Sequence, residues 1–122
     1  MHEYQIQVDT TGTAGSATGD FTTPNPVWGF IHRVDIAYNA GAPATTNVVV
    51  SYTLSNGNSV EVANVPTNAT DLYVVPIAYE TDEAGVDLLT SRLHAVMGGY
   101  ITVALTGCDA LTAAVDVSIQ II

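Results

Sequence analysis

Hydrophobic and polar residues alternate with a period of two along most of this 122-residue chain, the pattern of strands with one buried face. Near the start, Tyr4, Ile6 and Val8 share one face, and Glu3, Gln5, Gln7 and Asp9 share the other. Over 27–39 the even positions Trp28, Phe30, His32, Val34, Ile36 and Tyr38 are predicted to face the core, with Gly29, Ile31, Arg33, Asp35 and Ala37 outward. A third strand over 46–55 turns Val48, Val50, Tyr52 and Leu54 inward, and a fourth over 59–65 does the same with Val60 and Val62. Asn56-Gly57 between them resembles a two-residue hairpin turn. That turn would pair Leu54 with Ser59 and Tyr52 with Glu61, mixing the two faces. Register follows the buried face, so a three- or five-residue loop pairing Leu54 with Val60 and Tyr52 with Val62 is predicted, or else an added bulge.

Residues 72–79 are apolar on both faces, and Pro76 places them at an edge or a bulge. An apolar edge strand needs cover from a loop or a neighbouring subunit. Residues 80–97 do not alternate: Gly85 interrupts them, while Leu89, Leu93 and Val96 fall near helical spacing. An acidic loop followed by a short helix or irregular crossover is the expectation there. Residues 10–26, rich in Gly and Thr and ending in Pro24-Asn25-Pro26, read as a flexible loop or as an arm that orders on a neighbour. Asp20 to Thr22 is a candidate short strand within them. Two clean strands close the chain, one through Ile101, Val103 and Leu105, the other through Val115, Val117, Ile119 and Ile121. The sum is one all-β domain over 1–122: a two-sheet antiparallel sandwich or jelly roll of seven to eight strands, with an irregular or short-helical crossover near 80–97.

Charge narrows the functions open to such a domain. There is no lysine; Arg33 and Arg92 stand against twelve carboxylates, for a net charge of -10. Nucleic-acid binding needs a cationic footprint and anionic membrane needs a basic patch, so neither partner is expected. Only 11% of residues are charged, against about 25% in an ordinary soluble domain. The surface is therefore built largely of small polar residues and suits packing against copies or partners. No basic leader or long apolar segment is apparent, so the expectation is a soluble product made in a cytoplasm.

Candidate chemistry is sparse. Cys108 is the only cysteine, which precludes an intramolecular disulfide, and it reads as a small residue in a turn. His2, His32 and His94 lack metal-ligand spacing. His32 reads as a hydrogen-bonded or interface histidine, and His94 as solvated, with Asp87 or Glu83 as its alternative partners. Glu80, Asp82, Glu83 and Asp87 form the one carboxylate cluster to weigh for Ca2+, but they lack EF-hand order and read better as a solvated acidic loop. Neither a cofactor nor a catalytic residue is assigned.

Several segments taken together carry a resemblance. Gly29-Phe30-Ile31-His32-Arg33-Val34-Asp35-Ile36-Ala37-Tyr38 is followed by Thr46-Asn47-Val48-Val49-Val50, then Leu72-Tyr73-Val74-Val75-Pro76, Glu83-Ala84-Gly85, and Val96-Met97-Gly98-Gly99-Tyr100-Ile101-Thr102-Val103. Over about 27–122 this resembles small β-sandwich structural proteins of tailed bacteriophages, most of all capsid decoration (cement) proteins. The resemblance implies a non-enzymatic homotrimer on the outer capsid surface of the virion, binding the major capsid protein and stapling capsomers together. Trp28, Phe30, Tyr73, Val75, Ile77 and Tyr79 are the candidate interface residues, because aromatics anchor interfaces and the Pro76 strand needs cover. The alternative is a carbohydrate- or receptor-binding β-sandwich module of a tail or surface protein, using exposed aromatics beside Asp and Asn.

Overall fold

The computed structural model describes residues 2–81 and 84–122; the side chains of 79–81 and 87–91 lie outside that description. The strands are β1 (His2–Val8), β2 (Ala17–Thr22), β3 (Val27–Tyr38), β4 (Asn47–Thr53), β5 (Ser59–Val65), β6 (Leu72–Val74), β7 (Ala78–Thr81), β8 (Asp87–Arg92), β9 (Ala95–Cys108) and β10 (Val115–Ile121). Eight of them form one antiparallel sheet in the order β1-β10-β3-β9-β4-β5, with β2 added on β9 and β6 on β3. Buried side chains of β1 and β5, at opposite ends of that order, belong to a single core, so the sheet folds back on itself. The result is a sandwich with a front layer β6-β3-β10-β1 and a back layer β2-β9-β4-β5. The N-terminal halves of β3 and β9 pair with each other and join the layers at a corner.

Alternation places the core as expected in β1, β4, β9 and β10, where Ile6, Val8, Val48, Val50, Ile101, Val103, Leu105, Val117 and Ile119 are buried. In β3 it holds only for the second half. The buried residues are Val27, Ile31, Val34 and Ile36, so Trp28, Phe30 and His32 lie on the outer face rather than in the core. The cause is a bulge: Arg33 opposes Gln120 and Ile31 opposes Ile121, leaving His32 unpaired. One extra residue inverts the parity of everything before it.

Three other expectations change. Residues 10–26 contain β2, paired to β9 of the same chain, and Thr11 bridges Thr18, in place of a wholly flexible loop or an arm reaching elsewhere. The short helix expected near 80–97 is instead a hairpin of β7 and β8, followed directly by the start of β9. The turn between β4 and β5 has the odd loop and also a bulge. Thr53 opposes Ser59 and Tyr52 opposes Val60, two residues from the expected partner, and the register shifts between Val50 and Ser51. Cys108 ends β9 fully buried in the core, not in a surface turn.

His94 is also buried, not solvated. Its ring bonds the Ile77 backbone and stands edge-on to Tyr52 at 6.0 Å, while Nδ1 has no partner. Burial holds its pKa below the usual 6.5, with the Ile77 bond opposing. Protonated His94 would have to bury a charge, which desolvation opposes. With a depressed folded pKa, the unfolded chain binds more protons, so stability rises with pH. The contribution of His94 is full above the unfolded pKa near 6.5 and falls as pH drops from there towards the folded value. Urea midpoints measured between pH 7.5 and 5.5 should therefore decline in the parent and decline less in His94→Gln.

Candidate functional site: the outer face of the front layer

Four strands align their outward side chains into rows across the front layer. Register places Tyr73 of β6 beside Asp35 of β3, Asp35 beside Ser118 of β10, and Ser118 beside Gln5 of β1. On one side of this row stand Arg33, Gln120 and Glu3, and on the other Ala37, Asp116 and Gln7. Cross-strand neighbours on one face lie about 5 Å apart, so each row is a nearly continuous polar strip. Ala37, with only a methyl group between larger neighbours, supplies the depth. The face is an open groove of about 430 Å³ lined by Gln5, Asp35, Ala37, Asp71, Asp116 and Ser118, within the usual range for small-ligand sites.

Internal bonds fix the walls of this groove. Asp71, just before β6, accepts the Tyr38 backbone N–H at 2.8 Å and ties the start of β6 to the end of β3. Arg33 Nε donates to both oxygens of Asp35 at 2.9 and 3.1 Å, and its Nη2 lies 2.8 Å from Oδ1. Side chains two apart on a strand share a face, and the arginine stem is long enough to fold back onto its neighbour. The sequence spacing alone had not settled this pairing. Such a half-exposed pair adds little stability; its effect is to hold the guanidinium in place. That guanidinium sits 4.1 Å from the centre of the Tyr73 ring, a cation–π contact. One face of Tyr73 is thus backed by a cation while the residue stays 60% exposed. At the other end Ser118 Oγ donates to Glu3 Oε1 at 2.6 Å.

This arrangement offers an oriented aromatic plate, carboxylate acceptors at Asp35, Asp71 and Asp116, and amide and hydroxyl groups at Gln5 and Ser118. It is suited to holding a ligand with many hydroxyls. Among the described residues no cluster of three or more His, Cys, Asp or Glu could hold a metal. Of the acidic cluster, Asp82 and Glu83 lie outside the described residues, as do the side chains of Glu80 and Asp87.

Of the expected interface residues, Tyr73 stands beside the groove, opposite Asp35, while Trp28, Phe30, Val75 and Ile77 lie outside its lining. Trp28 is 64% exposed and packs against Gly98, where an added Cβ would come within 2.8 Å of the indole. Met97 opposes Trp28, and Phe30 exchanges 2.9 Å backbone hydrogen bonds with Ile122; all four side chains are exposed. Val75 and Ile77 continue the outward row of Tyr73 and are exposed as well. The side chain of Tyr79 is outside the described residues. Sequence reasoning selected Tyr73 for an apolar patch, whereas its partners are Arg33 and the polar groove. It missed Gln5, Asp116 and Ser118, whose signal is only that they are polar outward residues on strands that prove to be adjacent.

No family model matches the chain, and no curated protein does. Among solved structures it is similar to a variant of CBM29-2, a family 29 carbohydrate binding module, at 10% identity over 98% of this chain and 77% of that one, with a TM-score of 0.37. It is similar to TmCBM61 in complex with β-1,4-galactotriose at 10% identity over 97% and 77%, with a TM-score of 0.38. It is also similar to the enzymatically active domain of tailspike protein 4 of bacteriophage CBA120, at 14% identity over 98% of this chain but 18% of that one, with a TM-score of 0.36.

Proposed function

We propose that this protein is a non-catalytic carbohydrate-binding β-sandwich whose site is the groove on the front layer. The observation that carries the reading is the Tyr73 ring, backed by Arg33 yet 60% exposed, standing beside Asp35, which lines the groove with Asp116, Ser118 and Gln5. A sugar ring has an apolar C–H face that packs on an aromatic plate. Its hydroxyls are donors that ionised carboxylates accept in strong, charge-assisted bonds. The absence of lysine and the net charge of -10 favour a neutral glycan over a sulfated or uronic one. Calorimetric titration against a panel of neutral and anionic oligosaccharides tests this. Saturable binding to neutral members is expected, and a panel without binding would overturn the reading.

The apolar patch favours a second reading. Trp28, Phe30, Met97 and Ile122 are exposed together at the corner of the sandwich, and aromatics of this kind anchor protein interfaces. In that reading the protein sits on the outer surface of a phage head, as a homotrimer against the major capsid protein. Co-sedimentation with expanded capsids, lost on Trp28→Ala, is the outcome it requires.

A further inference from the structure

We infer that the groove continues past β1 into a second cleft, between β1 and β2, which receives a terminal ring of the same glycan. This inference rests on the glycan reading above. It begins with Phe21, which lies opposite Val103 in the pairing of β2 with β9. Cross-strand partners point to the same side of a sheet, and Val103 is fully buried. Phe21 therefore belongs to the inward row, yet it remains 42% exposed. The front and back layers part along this edge and leave an inward-facing aromatic without a partner to cover it.

The gap is a cleft of about 240 Å³ whose walls include Tyr4, Ile6, Phe21 and Pro24, with Gln5 and Asn25 among its polar groups. Its wall is tethered. Thr23 N–H donates to the Ile101 carbonyl at 2.9 Å, and Ile101 N–H donates to Thr23 Oγ1 at 3.1 Å, so Thr23 is held to β9. Gln5 borders both this cleft and the front groove. The two cavities thus share a wall that a ligand crossing the strands would pass over. From Tyr73 to Gln5 is three strand spacings, about 14 Å, so a chain of several rings is needed to reach from the Tyr73 plate into the cleft. Apolar walls with amides suit a ring that buries its C–H face and keeps its hydroxyls at the edge.

The test compares disaccharides with hexasaccharides of the β-1,4-gluco and β-1,4-galacto series by calorimetry. In the parent the hexasaccharide should bind more tightly. Phe21→Ala and Asn25→Ala should each weaken hexasaccharide binding about tenfold, equivalent to about 1.4 kcal/mol, and leave disaccharide binding within about twofold. Asn25 is exposed, so Asn25→Ala decides the matter should Phe21→Ala lower the melting temperature. The cleft is overturned if length brings no gain in the parent, or if the gain survives both substitutions while Tyr73→Ala still weakens every ligand. In those outcomes the groove stands without the cleft. No binding by either series in the parent counts against the glycan reading itself.

Discussion

Gly19→Ala should destabilise the protein by about 3 kcal/mol or more, at the upper end for overpacked sites. A Cβ on Gly19 would run into the backbone carbonyl oxygen of Asp9 and lie 3.0 Å from its carbon and 3.3 Å from Thr10 Cα. Relief would require the chain at Asp9 and Thr10 to move away, and that crossing is pinned from the other side. Thr10 Oγ1 donates to the Asp109 carbonyl at 2.6 Å, and Leu111 N–H donates to Thr10 Oγ1 at 3.0 Å. Thr10 N–H donates to the Leu111 carbonyl at 2.9 Å, and Asp9 Oδ1 accepts the Ala113 N–H at 2.7 Å. Steric relief therefore breaks hydrogen bonds, those of the Thr10 hydroxyl half-buried and that of Asp9 exposed, each worth about 1 kcal/mol. Gly15→Ala is the contrast: its Cβ meets nothing within 4 Å and only the positive φ of 77° opposes it, for a cost of about 1 kcal/mol. Urea denaturation followed by circular dichroism separates the two. Equal midpoints would remove the crossing as a structural constraint.

Tyr73→Ala should weaken glycan binding at least about thirtyfold, equivalent to about 2 kcal/mol, the scale of a binding hot spot. Tyr73→Phe should keep most of the affinity, since the plate and its cation–π contact survive. Arg33→Lys should fall between them. A lysine keeps the charge but lacks the planar fork that engages both oxygens of Asp35, so the plate loses its fixed backing. None of these substitutions threatens the fold, because Tyr73 is largely exposed on a three-residue edge strand. Unchanged melting temperatures with this order of affinities would assign the effect to the site. Equal affinities for the parent and Tyr73→Ala would exclude the aromatic plate.

How much of this was legible in the sequence depended on whether a strand kept a single period. β1, β9 and β10 were readable because apolar residues recur at every second position over most of their lengths. β3 defeated the pattern because its bulge at His32 carries no glycine or proline to mark it, and either half alone is a consistent strand. β2 was legible only over Asp20 to Thr22, because Thr, Gly and Ser give no apolar row; Ala17 is its one buried side chain, and its phenylalanine stays exposed at the open edge. The β7–β8 hairpin was hidden by leucines whose spacing matched a helix. The groove could not be read at all, since it depends on β6, β3, β10 and β1 being neighbours. Non-consecutive strand order is set by long-range packing, which local periodicity does not encode. Arg33 and Asp35 were visible as outward neighbours, but the Tyr73 ring that gives their pairing a use lies on another strand.

A two-dimensional amide NMR titration with neutral oligosaccharides shows directly whether the front-layer groove binds a glycan. The expected result is saturable shifts centred on Gln5, Asp35, Tyr73, Asp116 and Ser118, with Trp28, Phe30 and Met97 unmoved. Shifts confined to the Trp28 corner, or no shifts from any oligosaccharide, would contradict it.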